Sequence, residues 1–387
     1  MEEKKVTWLE LFYDLLFVAA VAAATHVLLH VEDGHIHAEY LVKFVLIFIP
    51  IWWAWVGQTI FINRFGKDLF HQRIFLILQM FFVLIMTSSL SVDFDPYYLS
   101  FLIGYIGLRA VTAIQYLIVQ RIETGVRKQA ALFFGRYFWI GIVISLLSVF
   151  FDSWVRYAVL YTGILIDIIV PVLGRKCLEK VPTNTAHLLE RFGLFTIILF
   201  GEALISTLAI IQPTQGNWDS IGFAIISFIL IISMWWQYFD NMEKKLDKSL
   251  QTSGQIIIYG HLFILMSLSM IAASIRLLFL DEVHYSFILF FAFGSVLLYF
   301  LSTTFVFHQY RHVHHRLKIY HLGLFLGILT VFFIINLIIV VPNILIIVEL
   351  TLFFIIFTKL TISNKKQPLT NEIHPRIGIE EDNKNFY

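Results

Sequence analysis

The chain has 387 residues, 59% of them apolar and only 14% charged, against about 45–50% and 25% in a soluble domain, so water is not its main solvent. A net charge of +1, with the basic residues in short clusters, gives no footprint for nucleic acid. The single cysteine, Cys177, excludes an intrachain disulfide and cannot by itself build a thiolate metal site.

In chain order, Met1 to His26 has the outline of a secretory signal, with Lys4 and Lys5 ahead of an apolar run containing Ala22, Ala23 and Ala24. Glu10 and Asp14 lie inside that run, and a cleavable apolar core does not carry two carboxylates, so the segment is expected to be a first membrane helix. Apolar blocks follow, each long enough to cross about 30 Å of hydrocarbon as a helix. The spans read as 8–29, 41–62, 72–91, 97–120, 132–150 and 154–174, then 187–211, 219–240, 256–279, 284–307, 317–339 and 342–361. The expected fold is therefore an all-α polytopic membrane bundle of about twelve transmembrane helices. Tight junctions at Asp152-Ser153 and Val341-Pro342 leave a shorter re-entrant hairpin open at either place. Residues 1–180 form a first six-helix half and 181–362 a second; 363–387 is polar, holds Pro368 and Pro375, and is expected to be a flexible cytoplasmic tail.

Charge tests this division independently of hydropathy, because cytoplasmic loops collect Lys and Arg. One side receives Lys4, Lys5, Arg64, Lys67, Arg73, Arg121, Arg127, Lys128, Arg136, Arg175, Lys176 and Lys180 in the first half. From the second half it receives Lys244, Lys245, Lys248, Arg311, Arg316, Lys318 and the tail from Lys359 to Lys384, which makes 23 of the 28 basic residues. The other side has Lys43, Arg156 and Arg276, and only Arg109 and Arg191 remain inside spans. An error of one helix would invert every later loop, so the alternation supports an even count with both termini cytoplasmic.

The two halves also resemble each other in order. Leu9-Glu10-Leu11-Phe12 parallels Leu189-Glu190-Arg191-Phe192, Trp52-Trp53 parallels Trp235-Trp236, and an acidic residue, Asp167 or Glu349, sits in the sixth and the twelfth span. Six helices is an even number, so such a six-plus-six repeat would be parallel, about an axis along the membrane normal.

An ionisable group at the membrane centre costs roughly 2.5–3.5 kcal/mol on insertion scales, so each one asks for a partner, a cavity or a role. Glu10 and Asp14 are four residues apart and share a helix face; His187, Glu190 and Arg191 open the seventh span, and Glu202 lies deeper in it. Arg191 and Glu202, eleven residues apart, point the same way but are separated by about 16 Å along the axis, so each needs a partner on another helix. Arg109, flanked by Tyr105, Thr112 and Tyr116, is the cation available to Glu202, Asp14 or Asp167. These groups line a route for protons, ions or a small polar solute, or they are ion pairs that specify how a large bundle packs.

Other clusters point to blander roles. His30, His35 and His37 share a loop with Glu32, Asp33 and Glu39, but without thiolates this is a weak zinc signature. His308, His312, His314 and His315 lie among Arg311 and Arg316, whose charge opposes a metal cation. Trp8, Trp154 and Trp218 fit the membrane interface, Trp52, Trp53 and Trp55 fit core packing ahead of narrowing a passage, and Gly323 and Gly327 fit close helix contact. No phosphate-cradling glycine loop, helical HExxH or nucleophile elbow is present.

Trp8-Leu9-Glu10-Leu11-Phe12-Tyr13-Asp14-Leu15-Leu16-Phe17-Val18 resembles the opening signature of the bacterial low temperature requirement protein A family. His187-Leu188-Leu189-Glu190-Arg191-Phe192-Gly193-Leu194-Phe195-Thr196 with Gly201-Glu202 resembles its second signature, and Trp235-Trp236-Gln237-Tyr238-Phe239-Asp240 its third; the likeness covers most of residues 6–362. It implies a multi-helix bacterial membrane protein with Glu10, Asp14, Glu190, Arg191, Glu202 and Asp240 at motif positions, Tyr13 standing where Phe is more usual. It implies no reaction, because the family's name describes a growth phenotype.

The expected function is that of a transporter or channel-like protein of the bacterial inner (cytoplasmic) membrane. Its polar seam would comprise Glu10, Asp14, Arg109, Asp167, Glu190, Arg191, Glu202 and Asp240, with Glu349 a further candidate. The expected partners are the lipid bilayer and a proton, ion or small solute, without cofactor, metal or nucleic acid. The alternatives are a membrane-embedded enzyme acting on a lipid or isoprenoid-like substrate through acid–base carboxylates, and a structural or signalling bundle. Asp14, Glu190 and Asp240 around a lipid-open groove would favour the enzyme; a continuous polar column would favour transport.

Overall fold

The structure is a computed structural model that describes residues 4–211, 218–312 and 317–363. His314, His315 and Arg316, and the expected tail beyond Ser363, lie outside the described residues.

Thirteen α-helices account for most of the described chain: α1 Trp8–Val27, α2 Ala38–Phe65, α3 Phe70–Ser88, α4 Tyr98–Ile122, α5 Gly125–Leu147, α6 Ser153–Leu173, α7 Arg175–Glu179, α8 Thr185–Leu208, α9 Trp218–Lys244, α10 Gln255–Leu280, α11 Tyr285–Tyr310, α12 Ile319–Ile338 and α13 Asn343–Ser363. Eleven of them are long and apolar enough to cross a membrane. Beside these stands α8, 24 residues long, which carries Glu190, Arg191 and Glu202. The expectation of twelve spans did not anticipate α7, a single turn between α6 and α8.

Local chemistry sets the helix ends that matter most for function. At α1, Thr7 and Glu10 form a capping box: the Thr7 hydroxyl accepts from the Glu10 N–H at 3.3 Å, and the Thr7 N–H donates to Glu10 Oε1 at 3.1 Å. At α8, the Asn184 side chain accepts from the His187 N–H at 3.1 Å. Pro50 and Pro171 lie within α2 and α6, as packed membrane helices tolerate. Both tight junctions resolve into full-length pairs. The Asp152-Ser153 link turns through Ser153 at φ 58° between α5 and α6, of 23 and 21 residues. Residues 339–342 join α12 and α13, of 20 and 21 residues. Neither pair is a short re-entrant hairpin.

Connections sort to two ends of the bundle. At one end, Arg64 Nη2 donates to Ser253 O at 2.7 Å, Arg127 Nη2 to Arg64 O at 2.8 Å, Asn63 Nδ2 to Asn184 O at 2.9 Å, and Asp247 N to Tyr310 O at 2.8 Å. Segments from both halves that carry the basic clusters thus meet. At the other end, His284 N donates to Gly34 O at 2.7 Å and Asn343 Nδ2 to Asp281 Oδ1 at 2.8 Å.

Helix α1 packs on α2 and α3, and the chain continues through α3–α4, α4–α5 and α5–α6 contacts; likewise α8 packs on α9 and α10, followed by α10–α11, α11–α12 and α12–α13. The halves meet where α1 and α2 lie against α8 and α10. Helices α2 and α10 are the innermost, with 78% and 72% of their apolar stretches buried. Around them, Ile77, Phe81, Ile140, Phe228, Phe290, Ile334 and Leu337 stand exposed on outward faces, a solvation that suits hydrocarbon.

Candidate functional site: buried ion pairs around the second helix

One face of α1 carries Glu10 and Asp14, four residues apart, and the facing side of α8 carries His187 and Arg191 at the same spacing. Helical periodicity makes each pair a vertical row, so two acids meet two bases across the α1–α8 contact. Arg191 Nη1 donates to Glu10 Oε2 at 3.0 Å and its Nη2 to Asp14 Oδ1 at 2.7 Å; His187 Nε2 lies 3.2 Å from Glu10 Oε2. The order of these contacts, extended by Phe17 against Phe195 with ring centroids 6.1 Å apart, shows that α1 and α8 run parallel. Helix α2 closes the third side. Trp55 Nε1 donates to Asp14 Oδ1 at 2.6 Å, the Arg191 guanidinium lies 5.7 Å from the Trp55 ring, Thr59 Oγ1 accepts from Arg191 Nη2 at 3.4 Å, and Asn63 Nδ2 lies 3.1 Å from His187 Nδ1. All four ionisable groups are buried, where a charge persists only if it is paired and hydrogen-bonded.

The opposite face of α2 holds a second pair. Arg109 of α4 donates through Nε to Asp167 Oδ2 of α6, and Trp53 Nε1 donates to the same oxygen at 3.0 Å. The guanidinium lies 5.4 Å from the Trp53 ring and 4.7 Å from the Phe138 ring. Gly57 is what allows the approach: a Cβ there would stand 1.9 Å from Arg109 Nη1. Of the three carboxylates the sequence offered to Arg109, it takes Asp167, because Asp14 lies on the far side of α2 in the grip of Arg191.

The remaining expected residues are elsewhere. Asp240, near the end of α9, is held by Lys244 at 2.6 Å and Lys245 at 3.1 Å. Glu202 is buried in the deeper part of α8 within electrostatic reach of Arg276, and forms no hydrogen bond or salt bridge among the described residues. Glu349 accepts from Asn336 of α12. Glu190 is exposed: one residue before Arg191, it is rotated by about 100° and faces outward. The eight expected residues therefore occupy two buried clusters flanking α2 and separate outlying positions. His187, Trp55, Thr59 and Asn63 belong to the site although the sequence did not single out the last two and assigned Trp55 to packing. Trp55 had one available signal, a donor N–H amid apolar neighbours that had to find an acceptor.

Several buried polar atoms at the clusters have no hydrogen-bond partner among the described residues, among them Tyr13 Oη, Asp14 Oδ2, Asp167 Oδ1, His187 Nε2, Arg191 Nε and Arg109 Nη1 and Nη2. Tyr13 stands within electrostatic reach of both Arg191 and Arg109.

At the basic end a cavity of about 470 Å³ leads in from the surface to Glu10. Its walls carry Lys4, Lys5, Arg64, Lys67, Arg73 and Arg127 against the carboxylates Glu10 and Asp68, and Gln58, Gln115 and Asn63 also line it. Gln115 Nε2 donates to Gln58 Oε1 at 3.0 Å. Lys4 donates to Ile62 O and, at 2.9 Å, to Gly66 O at the carbonyl end of α2. Burial lowers its pKa from 10.5 to about 8, with Glu10 opposing and Arg127 reinforcing the shift.

No group of three or more His, Cys, Asp and Glu able to hold a metal occurs among the described residues. Of the loop histidines, His35 instead packs edge-on against His284, ring centroids 4.5 Å apart.

The long apolar helices define a multi-pass membrane protein whose buried polar chemistry is concentrated on either side of one central helix. The chain belongs to the bacterial low temperature requirement A protein (LtrA) family, whose match covers residues 5–358. It is also similar to the uncharacterized protein RA0937 of Rhizobium meliloti (strain 1021), 29% identical over an alignment of 278 residues that covers 67% of this chain and 66% of that relative. No solved structure gives a significant match.

Proposed function

We propose that this chain is a transport protein of the bacterial cytoplasmic membrane, and that a small polar solute passes between the basic-end cavity and the Glu10–Asp14–His187–Arg191 cluster. The observation that carries this reading is that Glu10, a carboxylate shared with Arg191, stands in the lining of this surface-open cavity, so one member of the buried network is within reach of what enters it. A set of ion pairs serving only to pin helices together has no need of such access. The unpartnered Tyr13, Asp14 and Arg191 atoms supply further hydrogen-bonding capacity at the same depth.

The proposal takes α8 as a twelfth span and both termini as cytoplasmic, supported by the convergence of the basic connections at one end. It also takes 1–180 and 181–362 as two parallel halves, supported by the first helix of each, α1 or α8, packing on the next two long helices. The enzyme reading has less support, since Asp14 and Asp240 are buried in separate clusters and Glu190 is exposed.

The test is flux through purified protein in liposomes, offered protons, common cations, inorganic anions and small polar solutes in turn. Asp14→Asn should abolish the flux of the transported species while the protein still assembles. Absence of any flux across that panel would remove the transport reading.

A further inference from the structure

We infer that the basic-end cavity is a binding site for an oxyanion of the phosphate type, which, resting on the transport reading, is also the class of solute carried. Six cationic side chains line it against two carboxylates, and both carboxylates are already engaged. Asp68 takes two hydrogen bonds from Arg73, at 2.8 and 2.6 Å, and Glu10 serves Arg191 and His187. Glu123, just behind the wall, holds Lys67 at 3.0 Å and Arg127 at 2.8 Å.

Membrane topology alone accounts for cations at this end of the bundle, but it asks only that they be near the surface, free in water. Arg64 does not meet that description. It is 7% exposed, and its guanidinium rests on two backbone carbonyls, Val181 O at 3.1 Å and Ser253 O at 2.7 Å. Lys4, half-buried, also rests on backbone carbonyls, those of Ile62 and Gly66. Neither forms a salt bridge among the described residues. Buried cations are ordinarily matched by a carboxylate, and here the cavity between Lys4 and Arg64 is where the missing negative charge fits. A tetrahedral oxyanion accepts several charge-assisted hydrogen bonds from lysine and arginine donors at once, and the Gln58, Asn63 and Gln115 amides offer a polar floor for what it carries.

The ligand's phosphate can belong to a soluble compound or to an anionic lipid headgroup, and two arms separate these. In the first, the full chain in uncharged detergent is titrated with inorganic phosphate at constant ionic strength, with chloride as the control. Saturable binding is expected, weaker by roughly fivefold or more in Lys4→Gln and largely retained in Lys4→Arg. Arg64→Gln should weaken it further wherever that variant folds, and the lysine pair carries the test without it. In the second arm, discs of phosphatidylcholine are compared with discs containing phosphatidylglycerol. Competition by the anionic lipid identifies a headgroup ligand, and unchanged phosphate binding identifies a soluble one. Phosphate binding no better than chloride, or indifferent to Lys4→Gln, overturns the inference. Binding without flux would instead remove the transport reading and leave the site. Flux of a cation without phosphate binding would do the reverse.

Discussion

Arg191→Met removes one charge from a place where two carboxylates depend on it, in a side chain of similar reach. Breaking a buried ion pair from one side costs about 3–5 kcal/mol, mostly because the partner stays buried without compensation. The two partners here are unequally protected. Glu10 retains His187 at 3.2 Å and the Thr7 N–H at 3.1 Å, whereas Asp14 retains only the Trp55 N–H at 2.6 Å. Most of the loss should therefore be assigned to Asp14, and neutralising that residue as well should recover it. The double variant Arg191→Met with Asp14→Asn should be more stable than the sum of the single effects by about 2 kcal/mol or more, the scale of coupling between groups in direct contact. The assay is unfolding in mixed micelles with increasing denaturing detergent, followed by the fluorescence of the nine tryptophans. Added salt should change the coupling little, since buried pairs are weakly screened. A single-variant loss below about 1 kcal/mol, or strict additivity in the double variant, would refute the claim that this is a desolvated, charge-paired cluster.

Gly57→Ala should destabilise by about 1–3 kcal/mol, because its methyl group would stand 1.9 Å from a guanidinium nitrogen pinned by Asp167; Gly201→Ala, with nothing within 4 Å of the added carbon, should be neutral or stabilising in the same micelle assay. Lys4 faces Glu10 of α1, Arg127 of α5, and Arg64, Lys67 and Asp68 along the cavity wall. With a folded pKa of about 8 and an unfolded one near 10.5, the unfolded chain binds more protons between those values, so stability should rise with pH across that window and the rise should vanish in Lys4→Gln, as measured by thermal midpoints. Tyr13→Phe deletes a buried hydroxyl with no hydrogen-bond partner among the described residues, so it should leave stability unchanged or raise it by about 1 kcal/mol. If that hydroxyl serves the permeating solute, flux should nevertheless fall, and unchanged flux would remove Tyr13 from the route.

Hydropathy and charge were enough to read the long apolar helices and the sorting of the basic connections to one end, because both are consequences of the solvent each segment meets, while the short α7 carries no such signal. The residues that had to find partners were equally legible, since a buried Arg191 or Asp167 cannot be left alone. What the sequence could not decide was which partner. Arg109 had three carboxylates to choose from, and the choice followed from Gly57 opening one face of α2 and from Trp55 and Arg191 occupying Asp14 on the other. Glu190 shows the limit most sharply. It matches Glu10 in the letters of the internal parallel, yet Glu10 is buried and Glu190 exposed. Trp52 and Trp53 are buried too, while their counterparts Trp235 and Trp236 are 42% and 52% exposed. A rotation of about 100° per residue separates an inward from an outward side chain, and weak letter similarity does not fix a register that finely.

The two clusters are built alike and differ in access, which separates what each can do. In both, an arginine pairs with an aspartate, a tryptophan of α2 donates its N–H to that aspartate, and the guanidinium lies 5.4–5.7 Å from the same indole. Trp53 and Trp55 are two residues apart, about 200° around the helix, so one segment of α2 braces both pairs from opposite faces. The Arg109–Asp167 pair has one cation for one anion and is enclosed by aromatic rings, an arrangement suited to holding α4, α6 and α2 in register. The α1–α8 cluster has two carboxylates, an arginine and a histidine, and a cavity that reaches one of those carboxylates. A shared cation can change its division between Glu10 and Asp14 when an anion or proton arrives at Glu10, while a closed pair has nothing to exchange. On the transport reading proposed above, the chemistry belongs to the α1–α8 side of α2, and the other side supplies the rigidity against which it works.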